Sequence, residues 1–296
     1  MRTRRGTTLL TALLLPVAAC GTGGSPDDDK PSPSTSPERP APGDHPMKLT
    51  WKGKQRTYTV HAPPSFSPDD RLPLVIAMHP YPGNADYMAS ISGLSEKADK
   101  EGFLVAYPDG LDGGMNALTC CGSEDDVGFV RTMTRRMLTV WKADPDRVYA
   151  TGISNGADMA YKLAVELPGT FAAIAPVSGG FNGTDTQDTA YRPKSPVSVL
   201  TFIGKADPHD ADFDTGLNDW RSRLSCKPVR TKKLPKAVTR QDARCADGST
   251  TTAYHLPTMA HAWPGGEPGT MNDPHAGVDA TDLIWAYFKA HPRKGT

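Results

Sequence analysis

Short apolar runs and helix-spaced apolar positions alternate along most of this chain. Residues 73–78 (Pro-Leu-Val-Ile-Ala-Met) and 103–107 (Phe-Leu-Val-Ala-Tyr) carry no polar alternation, the pattern of strands buried on both faces. Residues 148–151, 172–177, 196–203 and 251–256 read the same way, and residues 48–62 read as two short strands around Lys52-Gly53. Between them lie helix patterns. Met88, Ile91, Leu94 and Ala98 predict a helix over 84–101. Val130, Met133, Met137, Leu138 and Trp141 predict another over 127–141. Further helices are expected over 155–167, 212–224 and 279–290, the last capped by Asp279, with Ile284, Tyr287 and Phe288 facing inward. Strands alternating with helices imply an α/β fold with a mostly parallel central sheet and helices on both faces. There is no internal repeat and no sign of a second domain.

The first 46 residues follow another pattern. Arg2, Arg4 and Arg5 precede an apolar stretch over 9–19 that is too short to span a bilayer, so residues 1–19 read as a signal peptide. Val17-Ala18-Ala19-Cys20 resembles a lipobox, which would lipidate Cys20 and anchor the mature chain to a membrane; an ordinary secretory signal is the alternative. Residues 20–46 are rich in Gly, Ser, Asp and Pro and read as a disordered tether, leaving 47–296 as the folded domain. An exported, extracellular or cell-surface protein is the expectation.

Charge adds little. Lysine plus arginine and aspartate plus glutamate both number 33, and removal of 1–19 leaves a count of about −3. That balance offers no electrostatic case for a nucleic-acid partner. Beyond Cys20, Cys120, Cys121, Cys226 and Cys245 are an even set, so disulfides are expected in an exported chain. Cys226 and Cys245 flank a polar, basic segment and would close a loop. Cys120 and Cys121 would then be a vicinal pair or two thiols. No Cys-x-x-Cys pair or nearby histidine cluster supports zinc, so no metal site is expected.

The chemistry centres on Gly152-Ile153-Ser154-Asn155-Gly156, between a predicted strand and a predicted helix. A serine there projects its hydroxyl from the carboxyl end of a sheet, as in the nucleophile elbow of α/β-hydrolases. Such a serine needs a base, and the base needs an acid, in the chain order Ser, Asp, His. His261 follows the last strand and precedes the last helix, which makes it the base candidate over His275, His79 and His209. Asp207 follows the strand ending at Ile203-Gly204 and is the acid candidate, ahead of Asp210, Asp212 and Asp214. Oxyanion donors are expected at the backbone N–H of Asn155 and, in the loop His79-Pro80-Tyr81-Pro82, at Tyr81, since proline has none to give. Trp263, beside the base, is a candidate for stacking on substrate, or a packed loop tryptophan.

Residues 74–83, Tyr107-Pro108-Asp109-Gly110, Cys120-Cys121-Gly122, residues 125–129 and 152–156, Ala206-Asp207-Pro208 and residues 261–266 together resemble the poly(3-hydroxybutyrate) depolymerase and feruloyl-esterase group of secreted α/β-hydrolases. The resemblance covers about residues 47–292. It implies a cofactor-free serine esterase with Ser154, Asp207 and His261 as the triad, acting on polyester oligomers or acylated carbohydrate. The group usually has His-Gly and then a small residue where this chain has His79-Pro80-Tyr81, which makes Tyr81 a candidate substrate contact and leaves the ester open. An acyltransferase on the same fold, or a binding lipoprotein without activity, remains the alternative.

Overall fold

The computed structural model describes residues 40–269 and 271–293; the signal segment, Cys20 and residues 20–39 of the tether lie outside them. The elements run β1 (Gly43–Trp51), β2 (Lys54–Ala62), β3 (Leu74–Met78), α1 (Ala85–Ser92), α2 (Leu94–Glu101), β4 (Leu104–Pro108), α3 (Asp126–Thr139), β5 (Val148–Ile153), α4 (Asn155–Glu166), β6 (Ala173–Val177), β7 (Ser198–Gly204), α5 (Asp210–Arg223), β8 (Lys227–Lys233), β9 (Thr239–Arg244), β10 (Thr250–Leu256), β11 (Trp263–Pro264), β12 (Asn272–Asp273) and α6 (Ala280–Ala290). All described residues belong to one compact unit.

Ten strands form one sheet in the order β1-β2-β4-β3-β5-β6-β7-β10-β9-β8. The run from β4 to β10 is parallel, and antiparallel strands extend it at both ends. Alternation within the buried strands separates two cores. Leu74, Ile76, Val148, Ala150, Ile174 and Val199 face α3, α4 and α5 through Phe129, Met133, Met159, Leu163 and Trp220. Val75, Val105, Tyr149, Ala175 and Leu200 face α1, α2 and α6 through Met88, Leu94, Ile284 and Phe288. A parallel sheet covered on both faces places its loops, and hence its chemistry, at the carboxyl ends of the strands.

Two expectations need correction. The helix over 84–101 is two helices: Gly93 adopts a left-handed conformation (φ 58°) that closes α1, its N–H returning to the Ala89 carbonyl, before α2 begins. The folded part starts before residue 47, because β1 begins at Gly43 and pairs residue by residue with β2. Its first residues, Gly43 to Pro46, carry no large apolar side chain and are held by ladder hydrogen bonds at the sheet edge, while Met47, Leu49 and Trp51 further along pack against the core. Cys226 and Cys245 pair in a disulfide as expected, and the segment they close is the hairpin β8–β9, which continues the sheet beyond β10. All seven β8 residues are exposed, so no apolar alternation marks the strand.

Candidate active site

Ser154 occupies the turn between β5 and α4 with φ 56° and ψ −121°, a strained conformation for a residue with a side chain. Close packing imposes it. A Cβ on Gly152 would stand 2.5 Å from the Gly156 carbonyl carbon, and one on Gly156 would overlap the Met78 carbonyl oxygen and lie 2.8 Å from that of His79. Both glycines are therefore required by contact, which seats the amino end of α4 on the carboxyl end of β3. The Ser154 N–H donates to the Val177 carbonyl at 3.0 Å, and the Ser154 carbonyl accepts from Ala157 and Asp158. Among the described residues the Ser154 hydroxyl has no hydrogen-bond partner, His261 included; the hydrogen bond His261 makes there is from Nδ1 to Asp207.

The acid and base meet across 54 residues of sequence. His261 Nδ1 lies 2.6 Å from Asp207 Oδ2. Asp207 is 2% exposed, and its Oδ1 accepts the His209 N–H at 3.0 Å. A carboxylate at Nδ1 selects the tautomer with its proton there and leaves Nε2 to accept a proton. Glycine again shapes the approach. A Cβ on Gly204, at the end of β7, would overlap the Met259 carbonyl and lie 2.6 Å from that of Ala260. Ser178, just past β6, donates to the Ala262 carbonyl at 2.9 Å. The loop of His261 is thus pinned to the residue following Val177, the carbonyl partner of the Ser154 N–H.

The loop after β3 packs against the amino end of α4, beside Gly156. The Gly110 N–H donates to His79 Nε2 at 2.9 Å, so the ring proton sits on Nδ1, which donates to the Pro80 carbonyl at 2.7 Å. Burial lowers the His79 pKa, against the Pro80 carbonyl and the charges of Asp109 and Asp126, and keeps the ring neutral. His79 braces this loop. Asn155 is buried, and its side chain clamps a second loop: Oδ1 accepts the Met115 N–H at 2.9 Å, and Nδ2 donates to the Met115 and Cys120 carbonyls at 3.0 and 3.1 Å. Its own N–H, in the first turn of α4, has no intrahelical partner. Cys120 and Cys121 form a vicinal disulfide in that second loop. Tyr81 is 53% exposed, and its ring lies beside Gly114.

Trp263 is elsewhere. Its side chain is fully buried and donates from Nε1 to Thr281 Oγ1 at 3.0 Å, tying β11 to α6. The stacking role is withdrawn: a ring with no exposed surface cannot meet substrate, and the packed alternative holds. His275 is exposed on its loop, and His255 pairs with Asp214 at 2.8 Å. Asp210 and Asp214 bind Lys205 at the start of α5. Two contributors escaped the sequence reading, Ser178 and the buried Asp158. An acid on the otherwise apolar face of a helix is the signal that marks the second. Among the described residues, no group of His, Cys, Asp or Glu could hold a metal ion.

Residues 56–209 match the family model described as Esterase PHB depolymerase. The chain belongs to that family. The NocK protein of Nocardia uniformis subsp. tsuyamanensis is 36% identical over 163 residues, covering 53% of this chain and 46% of that protein. Feruloyl esterase B of Piromyces equi is 32% identical over 156 residues, 51% of this chain and 29% of the relative. The match therefore spans less than half the length of these curated relatives. In fold, the family member is similar to the acetyl xylan esterase from Aspergillus awamori, with a TM-score of 0.56 at 16% identity, covering 73% of this chain and 94% of the other.

Proposed function

We propose that the protein is an exported serine esterase in which Ser154 attacks the ester carbonyl. His261 Nε2 takes the hydroxyl proton, and Asp207 steadies the resulting imidazolium. The N–H groups of Asn155 and Tyr81 hold the oxyanion. The alcohol leaves with the proton from His261. Water, activated by the same base, then releases the acid from the acyl-enzyme. The single observation that carries this reading is the Asp207–His261 pair, on a loop that Ser178 holds beside the strained Ser154 turn. Family membership supports ester hydrolysis independently of that geometry.

The relatives named for feruloyl and acetylxylan esters support an acylated carbohydrate as substrate. Exposed Tyr81, on the rim beside the disulfide loop, is the side chain proposed to meet it. Export is supported by the basic and apolar pattern of residues 1–19 and by the two disulfides; lipidation at Cys20, anchoring the enzyme to a membrane, belongs to the same proposal.

The test is hydrolysis of p-nitrophenyl acetate, then of feruloyl, acetyl-xylan and hydroxybutyrate-oligomer esters. Ser154→Ala should lower kcat/KM by at least about 10⁴-fold. Full activity in that variant would refute the assignment. A product that forms only with an added alcohol acceptor would make the enzyme a transferase instead.

A further inference from the structure

The hairpin β8–β9 concentrates charge that neither the core nor the proposed mechanism uses. Residues 227–244 carry seven lysines and arginines and a single acid, Asp242, in a chain whose formal charge is zero. They lie outside residues 56–209, the part that matches the family model.

Register decides where these cations point. Residues directly paired across a ladder share a face, and so do residues two apart on one strand. Lys232 pairs with Arg240, Arg230 with Asp242, and Lys227 with Arg244. Lys227 and Arg230 are three apart and would fall on opposite faces of a regular strand. The bulge between Pro228 and Arg230 inserts one extra residue and returns Lys227 to the face of Arg230. Five cations therefore share one face with one acid. Two of these three cross-strand pairs are like-charged, an arrangement that costs energy unless an anion lies over it. Edge protection accounts for charge on β8, but β9 is not an edge, since it lies between β8 and β10.

Most of these charges have no partner. Asp242 is already held by Arg240 at 2.9 Å and by the Thr252 hydroxyl at 2.7 Å. Lys227, Arg230, Lys232 and Arg244 are exposed, and among the described residues none of their side chains makes a hydrogen bond or an ion pair. The same face continues into a cleft of about 370 Å³ between the hairpin and α6, whose walls include Arg240, Asp242, Arg244, Tyr254, Leu283 and Tyr287. The cleft starts at the active-site end of the sheet. Arg240 pairs with Tyr254, two residues before the Leu256 that pairs with Gly204 at the end of β7, the strand that leads to Asp207. From there β9 runs away from the site to Arg244.

We propose that this face is a docking surface for an acidic polysaccharide, a chain of sugar units bearing carboxylates, and that the esters cleaved at the active site are carried on such a chain. Cations spaced about 7 Å apart along a strand match a polymer of repeating charge better than one small anion. A cleft flanked by cations suits a threaded chain. Membrane binding adds buried apolar area to charge, and Val229 is the single large apolar side chain exposed on the hairpin. As a statement about substrate the inference rests on the esterase reading; as a statement about binding it does not.

Polygalacturonate carries no ester, so its binding to the wild-type protein is measured by calorimetry without turnover, beside deacetylated neutral xylan, phosphatidylglycerol vesicles and duplex DNA. Polygalacturonate should bind and neutral xylan should not, and the affinity should fall at least about tenfold between about 50 and about 300 mM salt. Replacing Lys227, Arg230, Lys232 and Arg244 together by glutamine should weaken binding at least about tenfold. The same change at Lys48, Arg131, Arg135 and Lys142, exposed elsewhere, should leave it within about twofold of wild type. No binding of polygalacturonate, an equal loss in both sets, or tighter binding to vesicles or DNA overturns the docking surface. Should the hairpin variant not fold, Arg230→Gln with Lys232→Gln should weaken binding at least about threefold, and an unchanged affinity there overturns it too. On acetylated polygalacturonate the hairpin variant should raise KM at least about tenfold with kcat unchanged, while hydrolysis of p-nitrophenyl acetate stays as in wild type. An unmoved KM overturns the link to substrate. Wild-type protein that binds polygalacturonate but hydrolyses no ester would refute the esterase reading and leave the docking surface standing.

Discussion

The β5–α4 turn and the β8–β9 hairpin both depart from the regular parallel sheet, and they are held by opposite means. At the turn, Ser154 is locked in a strained conformation by atoms in contact: Gly152 against Gly156, Gly156 against Met78 and His79, and Gly179 against Ala157 and the Ser154 carbonyl. At the hairpin β8 is exposed along its whole length and β9 is mostly half-buried, and the structure relies on the strand ladder, one disulfide and polar links such as Arg240–Asp242 and Thr252–Asp242. A conformation that costs energy persists only where its surroundings over-determine it. That is why the turn suits chemistry and the hairpin suits an edge, where Lys227, Arg230, Lys232 and Lys233, with a bulge near Pro228, discourage pairing with another chain.

Two glycines put this contrast to the sharpest test. Gly156→Ala should cost about 3 kcal/mol or more in urea unfolding, because no backbone atom around it has room to move. Gly248→Ala, beyond the hairpin at φ 89° with nothing within 4 Å of the added carbon, should cost about 1–2 kcal/mol from backbone strain alone. Equal costs would break the comparison. Next in size is the disulfide. Cys226→Ser with Cys245→Ser should lose up to about 3 kcal/mol, the chain-entropy value for a loop of this length, while kcat on p-nitrophenyl acetate stays as in wild type. A fall in kcat would mean that the hairpin supports the site after all.

The smallest effect is expected at the surface tie between α2 and α6. Glu101 accepts from Lys289 and the Trp285 indole, with Lys97 nearby, and these partners, Lys289 first, pull its pKa down to about 2. A depressed carboxylate stabilises the folded state above its unfolded pKa, near 4.5, and loses that contribution as pH falls toward 2. Glu101→Gln should therefore melt slightly below wild type at pH 7, with the difference closing by pH 2. A gap that does not depend on pH would assign the effect to packing.

Legibility in the sequence followed the same divide. The inner strands are read easily because burial on both faces demands unbroken apolar runs, as in residues 74–78 and 104–107. The pairing of Asp207 with His261 was legible because chain order and strand ends limit where an acid and a base sit. The hairpin was not, since its strands pair through backbone atoms and leave side chains such as Val229 exposed. Trp263 was ambiguous because a tryptophan beside a base serves as contact or as core, and only its burial against Thr281 decides. Asp158 was passed over because its partners, Thr119 and Gly180, lie on loops whose positions no local pattern encodes.

The central claim is that Ser154 is the one activated nucleophile of this chain. Its most direct test is labelling of the folded protein with a fluorophosphonate, the modified residue being located by peptide mass spectrometry. The account predicts one label per chain, on Ser154, abolished by Ser154→Ala and strongly slowed by His261→Ala. A label on another residue, or none on folded wild-type protein, would contradict it.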